Sequence, residues 1–303
     1  MKRFLTFVVT FFLVISGLVS CGNIADDTIK FSVLQGPSAL AFCGMINEEF
    51  SSECPVEMKV EPSPDIVLPY LIKGELDGTI LPSDKAISIL EKNPDLFEIV
   101  AVCGKGNLSF VTNDSSISSL SDIDFSKNEV YLPKGSTIPE TIFSFICMES
   151  AMLSSDLKVH DNLSNPVYNY QLFPPEMIQA LAAGKIKYAV LPEPFTTLAK
   201  QKLGDKIYIP FDIQKGYTHF SKRENYPFTV VVFRKNFIKH RKKQFENFMS
   251  VWQKSFDWVI SNPHEAGINA EKMQIGIPAS LCEAAIPVSA LCAEREFDLA
   301  ITE

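Results

Sequence analysis

The sequence predicts an α/β fold in two similar lobes with one cleft between them. Apolar runs of strand length alternate with segments of helical period. That pattern reads as a mostly parallel sheet with helices on both faces. The alternation runs twice in the same order, strand–turn–helix–strand–helix–strand–helix, and the polar break Asn113-Asp114-Ser115-Ser116 divides the two runs. After residue 203 the chain changes character and supplies two more strands, placed to return it to the first half.

Each element has its own warrant. Residues 29–34 are a short apolar run, broken by Gln35-Gly36-Pro37-Ser38. Over 39–50, apolar residues at 40, 42, 45, 46 and 50 keep helical spacing, with Ser38 as a natural N-cap. A strand over 56–60 precedes a helix over 65–73 that Gly74 ends. A strand over 78–81 stops at Pro82-Ser83-Asp84, and a helix continues over 85–90. Strands over 97–103 and 108–112 complete the first run. The second run has a strand at 129–132, a turn at 133–136, a helix at 137–149 and a strand at 168–173. Pro174-Pro175 opens a helix that Gly184 closes. A strand over 187–191 leads through Pro192-Glu193-Pro194 into a helix from about 195 to 200. Residues 206–213 and 227–233 read as strands, and 236–260 as one long amphipathic helix carrying Phe245, Phe248, Met249, Trp252 and Phe256 on one face. The tail from Pro263 reads as helical. Lobe 1 is expected over 29–113 and 205–303, and lobe 2 over 114–204.

Composition narrows the function. With 303 residues, 46% of them hydrophobic and 21% charged, the chain has material for two cores and is not a disordered one. Its 28 basic and 36 acidic residues give a net charge of −8, and its longest basic run is Arg241-Lys242-Lys243. A nucleic-acid partner is therefore not expected. Four histidines in the whole chain argue against a multi-His metal site, and no cofactor is expected.

The first residues read as an address. Met1-Lys2-Arg3 precedes an uncharged stretch from Phe4 to Val19, and Leu18-Val19-Ser20-Cys21 closes it. A basic start, an apolar core and small residues at the cut define a secretory signal. The ending resembles a bacterial lipobox, which implies a signal peptide over 1–20, lipid on Cys21 and a tether over 21–28. A plain signal peptide or an uncleaved anchor helix are the alternatives, and both also place the chain outside the cytoplasm. Cleavage before Cys21 removes Lys2 and Arg3, taking the charge from −8 to −10. No later segment has the length of a membrane span. Six cysteines remain, at 43, 54, 103, 147, 282 and 292. An even number outside the cytoplasm permits disulfides. Cys43, Cys103 and Cys147 sit in apolar stretches, so buried thiols are the expectation.

Five strand-to-loop junctions carry the candidate site. Gln35, Gly36, Pro37 and Ser38 follow the first strand; Gly36 lets backbone approach a ligand and Ser38 offers a hydroxyl, though an ordinary turn with an N-cap also explains Ser38. Leu81, Pro82 and Ser83 follow the third strand, with the same alternative. Gly135, Ser136 and Thr137 follow Pro133-Lys134 at a helix start, where exposed amides bind anionic or polar groups. The spacing is not that of a P-loop. Glu193 stands between two prolines ahead of Phe195; it is a candidate anchor, or simply a carboxylate favoured at a helix start. Asn107 lies just before a strand, near the crossover. Tyr217 and Tyr226 are expected in a loop, where they wall the cleft or pack on their own lobe. For catalysis there is no local signature: His160, His219, His240 and His264 are scattered, and no Gly-x-Ser-x-Gly, HExxH, CxxC or GxGxxG occurs.

Several stretches together resemble the solute-binding lipoproteins of ABC importers, in the NMT1/THI5-like group that includes sulfonate-, nitrate- and thiamine-precursor-binding proteins. They are FSVLQGPSALAF (31–42), GELDGTILPSD (74–84), GNLSFVTN (106–113), LPKGSTIPETIFSFI (132–146) and GKIKYAVLPEPFTTLA (184–199). The resemblance implies a type II periplasmic-binding-protein fold, with ligand contacts from Gln35 to Ser38, Leu81 to Ser83, Asn107, Gly135 to Thr137 and Glu193 to Phe195. It implies a monomer without catalytic residues that captures a small organic solute and delivers it to a membrane permease driven by an ATPase. The cysteine-rich run of the yeast pyrimidine-synthesis members is absent. No arginine-rich oxyanion pocket is recognisable, which turns expectation away from nitrate and sulfonate. A ligand sensor or an enzyme on the same two-lobed frame is the alternative.

Overall fold

A computed structural model of the chain describes residues 28–125, 127–134 and 137–299. The leader over 1–20 and Cys21 lie outside the described residues. Among the described residues, eleven strands form two sheets. In chain order they are β1 (Ile29–Leu34), β2 (Val56–Glu61), β3 (Gly78–Pro82), β4 (Phe97–Lys105), β5 (Leu108–Thr112), β6 (Glu129–Tyr131), β7 (Val167–Asn169), β8 (Tyr188–Pro192), β9 (Tyr208–Phe211), β10 (Pro227–Arg234) and β11 (Leu291–Glu294). The first sheet runs β11-β4-β10-β3-β1-β2 and the second β7-β6-β8-β5-β9.

The two sheets share one plan. In the first, β2, β1 and β3 are parallel and β10 lies antiparallel between β3 and β4. In the second, β7, β6 and β8 are parallel and β5 lies antiparallel between β8 and β9. In each lobe an inner antiparallel strand, β10 or β5, is the one that enters directly from the other lobe, and β11 adds a second antiparallel strand at the edge of the first sheet. The repeat read in the sequence is thus a repeat of topology.

Side chains alternate across both sheets as the pleat requires. Val231 and Phe233 of β10 join a core with Phe31, Phe42, Phe248 and Trp252, while Val230 and Val232 face a second core with Val67, Leu71 and Phe97. Tyr188 and Val190 of β8 face one core of the second lobe, Ala189 and Leu191 the other. The ring of Trp252 stacks on Phe42 at 5.0 Å, and its Nε1 donates to the Ala41 carbonyl at 2.9 Å. All six described cysteines are buried and free.

Five expectations change, the first being the tail from Pro263, which is helical as far as Val288 and then forms the strand β11. The segment expected as a helix over 39–50 is a 3-10 helix, Pro37–Ile46, followed by a short α-helix, Glu48–Glu53. Ala39 to Met45 are buried without a break, and a Cβ on Gly44 would meet the Ser255 carbonyl oxygen at 2.5 Å, so the coil lies wedged against the Lys242–Ser261 helix. The expected helix over 236–260 is two, Lys235–His240 and Lys242–Ser261, bent at Arg241 so that Phe237 and Phe245 both pack on Phe233. The strand expected over 168–173 stops at Asn169, because its partner β6 has only three residues. The strand expected over 206–213 is β9 followed by a helix, Ile213–Ser221, whose N-cap Asp212 accepts from the Lys215 amide at 3.0 Å.

The lobe boundaries move accordingly. Leu108–Thr112 and Tyr208–Phe211 belong to the second sheet. The chain therefore crosses at Gly106–Asn107 and at Asn225–Tyr226 rather than at 113/114 and 204/205. The sequence does not mark these points, since β4 and β5 are separated by only two residues.

Candidate functional site

The crossovers determine which edges of the sheets meet. β10 is antiparallel to β3 and β4, so its first residues sit beside the last residues of both, with Thr229 opposite Pro82 and Pro227 opposite Lys105. β5 is antiparallel to β8, so Leu108 sits opposite Pro192. Both crossovers thus join the carboxyl-terminal edge of one sheet to that of the other. Ligands of open α/β sheets bind outside such edges. The two crossing strands are laced together: the Gly106 amide donates to the Tyr226 carbonyl and to Asn225 Oδ1, both at 3.0 Å, and Asn225 Nδ2 donates back to the Gly106 carbonyl at 3.3 Å. Beside them, Leu198 packs against the cores of both lobes.

On the first lobe the edge is lined by hydroxyls. Gln35 is exposed, and its amide donates to the Glu61 carbonyl at 2.8 Å. Gly36 has φ 119°, a conformation that excludes other residues, and its amide donates to the Ile275 carbonyl at 3.1 Å. Pro37 begins the 3-10 helix. Ser38 caps nothing with its side chain; instead its hydroxyl pairs with Thr229 Oγ1 at 2.7 Å across 191 residues of chain. Ser83 is fully buried and donates to the Pro227 carbonyl at 2.8 Å. Pro82 is half-buried. Leu81, expected at the cleft, is turned into the core with Val102 and Val230, because it falls on the inward phase of β3. Thr229 was not anticipated; only the long-range pairing of β10 brings it here.

The second lobe presents helix starts and one carboxylate, Glu193. The Thr137 amide and hydroxyl donate to Asp84 Oδ2 of the first lobe at 2.8 and 2.7 Å. Gly135 and Ser136 lie outside the described residues. Glu193 is only 8% exposed, and its Oε2 accepts from the Thr197 amide at 3.0 Å, so it caps the Phe195–Leu203 helix while its own amide donates to the Asn107 carbonyl at 3.1 Å. Phe195 is half-buried against the second lobe's own core. Asn107 Nδ2 donates to the Ser289 carbonyl at 3.0 Å, leaving Oδ1 buried without a donor. Gln214 is in the same condition: Nε2 reaches the Leu108 carbonyl and Tyr226 Oη at 3.2 and 3.3 Å, and Oε1 is buried without a donor.

Tyr217 and Tyr226 are not cleft walls. Tyr217 lies on the Ile213–Ser221 helix, not in a loop, and both rings are fully buried in the second lobe's core, 4.8 Å apart and edge to face. Asp212 as an N-cap with Ile213 and Tyr217 four apart was the available signal for that helix. An open hollow of about 550 Å³ between Asp122, Asp124, Lys158 and Asp161 lies on the flank of the second lobe, away from these edges. Among the described residues, no group of three or more His, Cys, Asp or Glu is placed to hold a metal ion, and no helix is long and apolar enough to cross a membrane.

Two sheets of one plan, flanked by helices and meeting at their carboxyl edges, define the two-lobed fold of periplasmic binding proteins. The sequence model of the NMT1-like family matches residues 39–273, through both lobes, and the chain belongs to that family. An ABC transporter structure from Parabacteroides distasonis is similar at 24% identity and TM-score 0.63, over 88% of this chain and 86% of that one. The periplasmic aliphatic sulphonate binding protein of Escherichia coli is similar at 13% identity and TM-score 0.66, over 88% and 81%. The periplasmic nitrate-binding protein of a Synechocystis strain is similar at 13% identity and TM-score 0.60, over 84% and 68%. No curated protein matches the chain.

Proposed function

We propose that this chain is an extracytoplasmic lipoprotein that captures a small organic solute between its lobes and hands it to the permease of an ABC importer. The observation that carries the reading is the meeting of two carboxyl-terminal sheet edges at the crossovers, within a chain of the NMT1-like family. The contacts would come from Gln35, Gly36, Ser38, Ser83, Asn107, Gly135, Ser136, Thr137 and Glu193. The donor-less Oδ1 of Asn107, at the crossover, favours a solute that carries N–H or O–H groups. A solute shifts the equilibrium between open and closed lobes only by its preference for the closed form. The closed form is what a permease recognises, and the chain itself performs no chemistry. The lipobox-like ending at Cys21 supports anchoring by an acyl chain, with the body acting as a monomer.

The test is a thermal-shift screen of protein stripped of carried ligand by denaturation and refolding, against pyrimidines, thiamine precursors, other small aromatics, sulfonates and oxyanions. A ligand at about 100 times its dissociation constant stabilises by roughly 2.7 kcal/mol, a clear rise in Tm. A single responsive class supports the reading and identifies the cargo. No response from the panel, together with unchanged binding of cell-extract solutes in Asn107→Ala, overturns it.

A further inference from the structure

We propose that the end of the first lobe around Arg241-Lys242-Lys243 docks on the anionic headgroups of the bilayer to which the tether leads. For the nearness of a bilayer the proposal rests on the acyl anchor at Cys21; the basic end itself is read from sequence and fold. From Arg234 to Lys243 the chain runs RKNFIKHRKK, six Lys and Arg with no Asp or Glu in ten residues, within a chain of net charge −8. Solute capture makes no use of this stretch.

Strand order places the stretch beside the start of β1. Ile29 pairs with Val56, Phe31 and Phe233 both pair with Gly78, and Arg234 pairs with Phe97. All of these lie along the amino edge of the first sheet, opposite the carboxyl edge that faces the cleft. The Lys235–His240 helix leaves from that edge, and Phe237 and Phe245 pack on Phe233, which holds the bend at Arg241 there. Asp77 ties the two together: its Oδ2 accepts from the Lys30 amide at 2.9 Å and lies 3.9 Å from Arg241 Nη1. The tether over 21–28 spans at most about 30 Å fully extended, so an acyl chain on Cys21 keeps this end within that reach of the bilayer.

The charge balance here is the reverse of the whole chain's. Lys73 adjoins Arg234, since a Cβ on Gly74 would meet Arg234 Nη1 at 2.7 Å. The loop after Lys92 is held by the Lys235 amide, which donates to the Leu96 carbonyl at 3.3 Å. Lys30, Lys73, Lys92, Lys239, Lys242 and Lys243 are exposed, and among the described residues none of them is held in an ion pair. Glu75, Asp77, Glu91, Asp95 and Glu98 share this end, five acids against the nine Lys and Arg at 30, 73, 92, 234, 235, 239, 241, 242 and 243. A basic side chain close to an anionic surface adds roughly fivefold in affinity, and the attraction fades over about 10 Å. The acidic remainder of the body is repelled by the same surface, so charge also sets which end faces the lipid.

The test places the full chain with vesicles of phosphatidylcholine alone and with vesicles that also contain phosphatidylglycerol, and maps lysine labelling by an amine reagent with mass spectrometry. Passing from neutral to anionic vesicles is expected to lower labelling of Lys239, Lys242 and Lys243 at least fivefold and to leave Lys200 and Lys202 of the second lobe unchanged. Salt at about 1 M, where screening acts within about 3 Å, should restore the labelling. Equal labelling with both vesicles, or protection shared by Lys200 and Lys202, overturns the proposal. In the combined Lys239→Glu, Lys242→Glu and Lys243→Glu variant, all at exposed positions, Lys30 and Lys73 are expected to lose their protection while the Tm holds. Protection kept at Lys30 and Lys73 overturns the role of the basic stretch. Retention on neutral vesicles and the acyl mass on Cys21 report the anchor, whereas the difference between the two lipids reports the docking, so each fails visibly without the other.

Discussion

At Gly106 there is no room for a methyl group. A Cβ there would run into the Tyr226 ring and lie 2.6 Å from Asn225 Oδ1, within the lacing that joins the two crossovers. Gly106→Ala should destabilise the protein by about 1–3 kcal/mol, read as a lowered Tm, since neither neighbour can give way without breaking that lacing. Burial also sets the behaviour of the thiols. It pushes Cys43, Cys147, Cys282 and Cys292 up to about 12 and Cys54 up to about 11 from an ordinary 9.0, and Cys103 is raised as well. The native chain thus holds thiol protons that the unfolded chain releases near pH 9, so stability is fully present below that pH and falls as pH climbs toward 12. The urea midpoint should be lower at pH 10 than at pH 8, and a thiol reagent at pH 8 should find these six only after unfolding. That these cysteines are core residues was legible from the apolar stretches around Cys43, Cys103 and Cys147. The partners of Ser38 and Asp84 were not, because Thr229 and Thr137 reach them only through strand order and lobe apposition.

Among the elements, the start of the Phe195–Leu203 helix separates structural from ligand-directed roles. Glu193 Oε2 caps it through the Thr197 amide. Glu193→Ala should cost about 0.5–2 kcal/mol in thermal or urea unfolding. Glu193→Gln keeps a carbonyl acceptor and should hold the Tm, so any loss of solute affinity in that variant belongs to the charge. In the first lobe, Trp252→Phe leaves the buried Ala41 carbonyl without its donor and should cost about 1–3 kcal/mol. Most elements followed from local pattern: β1, β3, β8 and the Pro174–Ala182 helix carry their own apolar runs, prolines and glycines. The misread stretches depend on distant partners. β7 is short because β6 is short, and the 3-10 helix is squeezed by Ser255, some 210 residues away.

For the molecule as a whole, the two lobes were legible as a repeat, but their true junctions were not. Sheet membership of β5 is decided by its pairing with β8, and that of β9 by its pairing with β5, which no local pattern records. The proposed acyl anchor is testable at this scale: Cys21→Ala should release the protein from the membrane fraction, measured by fractionation and by loss of the acyl mass.

The crossing of β10 has a consequence for how the chain comes to be folded. β10 fills the gap between β3 and β4, although Ser83 and the Pro227 it bonds are 144 positions apart. Until β10 emerges, β3 and β4 present bare, apolar edges that other chains can pair with. The second lobe, by contrast, is one uninterrupted stretch and has all its strands before β10 appears. The inserted lobe should therefore acquire structure first, and the host lobe should stay open to chaperones and to aggregation until β10 is in place.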